Sequence, residues 1–82
     1  MEGQDMRPST YGEKAVGLNF NPSDNSDVAE IKKLYAEIID FCNNEIGKLE
    51  VPAEGERIRL FRIAITEAQT AQMWAVKAIT FK

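Results

Sequence analysis

The chain has 82 residues, with 13 acids against 10 bases, a net charge of −3, no histidine and one cysteine, Cys42. That length gives one domain at most, with a high surface-to-volume ratio that usually calls for disulfides, a metal or a partner chain. The lone cysteine excludes an internal disulfide, and the lack of histidine makes a zinc site unexpected, which leaves self-association as the route to stability.

No apolar run approaches the roughly 20 residues of a membrane span. The polar opening MEGQDMRPST lacks the apolar core of a signal peptide, so a reducing cytoplasm is the expected compartment. By segment, the net charge is −1 over residues 1–22, −4 over 23–50 and +2 over 51–82. An acidic chain with no basic stripe is a poor partner for duplex nucleic acid or an anionic membrane, whereas a few local cations suffice for a small anionic ligand.

In chain order, residues 1–22 are expected to form an ordered, non-helical arm, interrupted by Pro8, Gly12, Gly17 and Pro22. Val16, Leu18 and Phe20 alternate with Gly17 and Asn19, a period-two pattern that predicts a short extended stretch over 15–20. Residues 23–82 are expected to form a helical hairpin. Its first helix, about 26–47, is capped by Ser26 or Ser23, with Asp27 and Glu30 in the first turn. Val28, Ile31, Tyr35, Ile38, Cys42 and Ile46 recur at steps of three and four and predict the buried stripe, widened by Leu34, Ile39 and Phe41. Gly47 terminates it, and Pro52 cannot continue it.

The second helix, about 55–80, repeats the pattern at Ile58, Phe61, Ile65, Ala68, Ala75 and Ile79. Leu60, Ala64, Ala71, Trp74 and Ala78 lie beside that stripe, so this helix is apolar over much of its circumference and must be covered on more than one face. Its sibling covers only one. The predicted fold is therefore all-α: an antiparallel hairpin with an N-terminal extended arm, assembling into a homo-oligomeric helical bundle.

The chemistry is that of a binder. Without histidine the usual neutral-pH acid–base group is missing, and no glycine-rich loop, nucleophile elbow or metal motif is present, so no enzyme and no cofactor is expected. Cys42, on the apolar stripe, is expected to be a small buried hydrophobe. The arm is the unusual feature. Arg7 and Lys14 offer charge to a phosphate, Ser9 and Thr10 offer hydroxyls, Tyr11 a flat face, and Gly12 a close backbone approach. Such a set suits a nucleotide; the alternative is a polar arm whose tyrosine only staples it to the helices. Trp74 is expected to be a core or interface anchor rather than a ligand platform. Arg57, Arg59 and Arg62 either line an anion site at a subunit junction, stand in solvent, or pair with the acidic first helix.

Two stretches, RPSTYGEKAVGLNFNPS over 7–23 and AITEAQTAQMWAVKAIT over 64–80, resemble the phage anti-CBASS cyclic-nucleotide sponge family, which shares its hairpin domain with the Thoeris anti-defence sponges. Together they cover over a third of the chain. The resemblance implies a phage protein in the cytoplasm of the infected bacterial host, sequestering cyclic dinucleotides such as cyclic GMP–AMP, and by extension cyclic trinucleotides, without cleaving them. It also implies a homo-oligomer, commonly a hexamer, with nucleotides held between subunits. A tyrosine stacking on the base and a lysine meeting the phosphates map onto Tyr11 and Lys14, with Arg7, Ser9, Thr10 and Gly12 beside them, then Asn19 and Phe20. The competing function is an oligomeric hairpin adaptor that binds a protein partner; the same helices would serve it.

Overall fold

Three helices account for the secondary structure of the computed structural model, which describes residues 7–82: α1 at Tyr11–Val16, α2 at Ser26–Ile46 and α3 at Gly55–Thr80. No strand occurs among the described residues. Residues 1–6 of the expected arm lie outside them.

The arm departs from expectation. Within the arm expected to be non-helical, Tyr11–Val16 is a helix, opened by a capping box, and it runs into the stretch 15–20 that was expected to be extended. Glu13 N–H donates to Thr10 Oγ1 at 3.1 Å, and Thr10 N–H donates back to Glu13 Oε1 at 2.9 Å. Gly17, at φ 63°, closes the helix in the left-handed region, and Leu18 N–H reaches the Glu13 carbonyl at 2.9 Å. Six residues are too few to hold a helix in isolation; these caps and tertiary packing hold it. The alternation of Val16, Leu18 and Phe20 arose from one buried helical residue followed by a turn.

α2 starts as expected, but its cap is Asn25 rather than Ser26 or Ser23: the Asn25 side chain accepts from the N–H groups of Asp27 and Val28. The two long helices lie antiparallel, about 31 and 39 Å long at 1.5 Å per residue. α1 packs mainly on α2, beside the C-terminal part of α3.

The core comprises Val16, Ala36, Ile39, Cys42, Ile65 and Ala68, with Ala15, Leu18, Tyr35, Ile46 and Phe61 packed around it. The α2 stripe is rotated from the expected one. Ile39 is the fully buried residue, while Ile38 stands half exposed beside Leu34 and Phe41. Cys42 is buried, as expected. The α3 stripe runs where expected through Ile65 and Ala68, with Ile58, Phe61, Ala75 and Ile79 half buried. The Cα trace is only 13 Å thick against 46 and 32 Å in the other directions, one layer of helices.

Candidate functional site

α1 is held to α2 by a close approach that only glycine allows. Gly12 is buried, and its N–H donates to Asp40 Oδ1 at 2.7 Å. A Cβ on Gly12 would sit 2.1 Å from the Ala36 carbonyl oxygen. The close approach of Gly12 is therefore to α2. Behind α1, the buried Lys32 of α2 donates from Nζ to the carbonyls of Gly17 and Phe20 and lies 5.5 Å from the centre of the Phe20 ring. This cation fixes the turn after α1, so the chain from Ser9 to Phe20 is a built surface.

On that surface Ser9, Lys14, Asn19 and Phe20 line one open groove of about 410 Å³, together with Glu13, Gly17 and Leu18. Tyr11 is 50% exposed and sits three residues before the exposed Lys14, on the same side of α1. The other expected residues have internal partners. Thr10 caps α1. Arg7 holds Glu13 in a two-pronged ion pair, at 2.9 and 2.6 Å. That guanidinium, helped by the Thr10 N–H, holds the Glu13 carboxyl down at about 2.

Gln69 Nε2 donates to the Ala15 carbonyl at 3.5 Å, tying α3 to α1. Sequence reasoning missed Glu13, Lys32, Asp40, Gln69 and Gln72. The signals that could have found them are the Thr10–Glu13 box and two polar residues, Lys32 and Gln72, set in otherwise apolar stripes.

Two of the three second-helix arginines pair locally rather than on α2. Arg57 pairs with Glu54 at 3.5 Å and Arg59 with Glu56 at 2.8 Å, one turn away in each case. Arg59 and Arg62 edge a shallow depression with Ile63, Thr66 and Glu67. Trp74 is no core residue: it is 65% exposed on the outer side of α3. Among the described residues, no three His, Cys, Asp or Glu side chains gather closely enough to hold a metal. Among the same residues, no helix is long and apolar enough to cross a membrane.

The architecture is a helical hairpin with a short capped helix laid against the middle of α2, and the exposed Lys14 of that helix lines a groove. The chain belongs to the family described as Acb2/Tad1, hairpin domain, whose sequence model matches residues 13–80. That match runs through the boundary expected at residues 22 and 23, taking in most of α1 as well as the long helices. No curated protein and no solved structure matches the chain. At the level of the family, membership carries an anti-defence sponge role, binding of cyclic nucleotide signals, and oligomerisation. Its members are binding proteins rather than known enzymes.

Proposed function

We propose that this protein sequesters cyclic oligonucleotide second messengers, cyclic dinucleotides such as cyclic GMP–AMP and also cyclic trinucleotides, without cleaving them. It would act in the cytoplasm of an infected bacterium, blocking CBASS immunity as a homo-oligomer whose expected form is a hexamer. The observation that supports the ligand site is that Lys14 lines the groove edged by Ser9, Asn19 and Phe20, with the exposed Tyr11 one turn before it on α1. A ring supplies a stacking face for a base and an ammonium meets a phosphate, and neither task needs a histidine, a metal or a nucleophile. Arg7, Thr10 and Gly12 contribute by holding α1 in place, with the Arg7 guanidinium near enough to add charge.

Loss of a stacking ring forfeits roughly 1–3 kcal/mol, so Tyr11→Ala should weaken binding about five- to 150-fold. Tyr11→Phe should keep most of the affinity, since the π face survives. Lys14→Ala should weaken binding too, and added salt should lower the affinity of the parent. Calorimetry on these variants with cyclic GMP–AMP, alongside recovery of intact nucleotide after proteolysis of the complex, is the test. Unchanged affinity in both Tyr11→Ala and Lys14→Ala would remove α1 as the binding site, and recovery of linear product would remove the sponge.

The adaptor function draws support from the exposed apolar residues on the outer side of α3, Leu60, Ile63 and Trp74. If the protein binds no cyclic nucleotide and sizes as a monomer, that surface becomes a docking face for another protein.

A further inference from the structure

The seam of α3 runs through Ile58, Phe61, Ile65, Ala68, Gln72, Val76 and Ile79, and one of these residues is out of character. Gln72 is 5% exposed, as deeply set as Ile65, at a level where leucine or methionine would fill the space. Across from it, the α2 seam is also polar at Lys32, but Lys32 is accounted for: its ammonium is spent on the Gly17 and Phe20 carbonyls. Gln72 is not. Its side-chain amide has no hydrogen-bond partner, and the amide is not sealed in, because Gln72 lines an open groove of about 460 Å³ between α1, α2 and α3. The amide faces that groove while the rest of the side chain is packed away, since no fully buried side-chain nitrogen or oxygen among the described residues lacks a partner. A glutamine at that level is placed to meet a polar group that arrives through the groove.

The groove narrows what arrives. Its walls include Met73 and Val76, which offer apolar sides, and Lys14 stands at its edge. Lys14 also edges the groove of Ser9, Asn19 and Phe20, so the two depressions meet at the cation expected to hold a phosphate. A primary amide presents one donor and one acceptor side by side, the pattern that pairs bidentately with the edge of a nucleobase. We infer that Gln72 reads the base edge of a nucleotide whose phosphate is held at Lys14, and so determines which cyclic nucleotide the protein prefers. The inference rests on the proposed cyclic-nucleotide binding and adds to it the residue that sets base preference. Tyr11 supplies sequence-tolerant stacking; Gln72 supplies discrimination.

The test uses the full chain and three probes, cyclic di-AMP, cyclic GMP–AMP and cyclic di-GMP, titrated into the parent, Gln72→Met and Tyr11→Ala. The parent should rank the three with a spread on the order of tenfold, the worth of a well-placed hydrogen bond. Gln72→Met should contract that spread to within about threefold, while Tyr11→Ala should weaken all three and preserve their order. Gln72→Met should also melt at or above the parent temperature, since the Gln72 amide makes no hydrogen bond within the fold that the change would break; a residue serving only the fold would lower it. A parent that binds but does not discriminate, or a Gln72→Met variant with the parent's ranking, overturns the assignment and leaves the sponge standing. A parent that binds none of the three overturns both the assignment and the proposed binding of cyclic dinucleotides.

Discussion

Glu13 carries more of the N-terminal geometry than its place in a polar segment suggests. It closes the capping box with Thr10 and receives Arg7, and both donors favour its ionised form. The carboxyl is held at about 2, first by the Arg7 hydrogen bonds and then by the Thr10 N–H. A carboxyl depressed in the folded state contributes stability that is fully present above its ordinary value of 4.5 and is lost as pH falls from there through about 2. A carboxyl titration followed by NMR should therefore place the Glu13 midpoint near 2, and Arg7→Ala should move it up towards the ordinary range. A midpoint already at the ordinary value in the parent would show that the pair does not persist in solution. The lone cysteine has a quieter role, packing on the seam of α2 as a small apolar group.

Between elements, the decisive contact is α1 on α2, made possible by the missing side chain at Gly12. Alanine there would gain about 1 kcal/mol of helix propensity, because glycine is a poor helix former. Against that gain, its Cβ would stand 2.1 Å from the Ala36 carbonyl and 2.9 Å from Asp40 Cγ, and the backbone carbonyl cannot swing away. Overpacking of this kind typically costs about 1–3 kcal/mol, so the clash wins. Gly12→Ala should lower the denaturation midpoint and displace α1, and so weaken binding at the proposed nucleotide site although Gly12 packs on α2. Parent-like stability and affinity in this variant would mean that α1 is not seated on α2 in solution.

For the whole molecule, thickness is the controlling fact. One layer of helices 13 Å deep leaves two broad faces, and among the described residues only one large side chain, Ile39, is fully buried. Leu60, Ile63 and Trp74 stand on the outer side of α3, while Leu34, Ile38 and Phe41 stand on α2 away from its seam. Stable domains pack at least two layers, so a second copy is the natural cover, in keeping with a family whose members oligomerise. Trp74 is the expected anchor. Because it is exposed in the single chain, Trp74→Ala should change the intrinsic fold by no more than about 0.5 kcal/mol, as surface substitutions do. A tryptophan central to an interface costs about 2 kcal/mol or more when truncated, so the assembly should shift to smaller species in sedimentation velocity at micromolar concentration. An intact assembly that no longer binds nucleotide would make Trp74 a ligand residue instead.

The long helices were legible in the sequence, because 20 or so residues of three-and-four spacing outweigh local ambiguity and a proline and a glycine punctuate the join between them. The family was legible too. The short helix α1 was not: six residues carry too little periodicity, and glycines at 12 and 17 suggested interruption. In the fold those glycines do opposite jobs, one admitting the α2 backbone and the other closing the helix at positive φ. The choice between Ile38 and Ile39 for the seam of α2 likewise needed the tertiary structure, since neighbours 100° apart on a wide apolar arc satisfy the same pattern and only the position of α3 and α1 selects one. The same selection turned Gln72 inward: its residue type was plain in the sequence, but only the packing of three helices shows that it is 5% exposed and lines the groove between them.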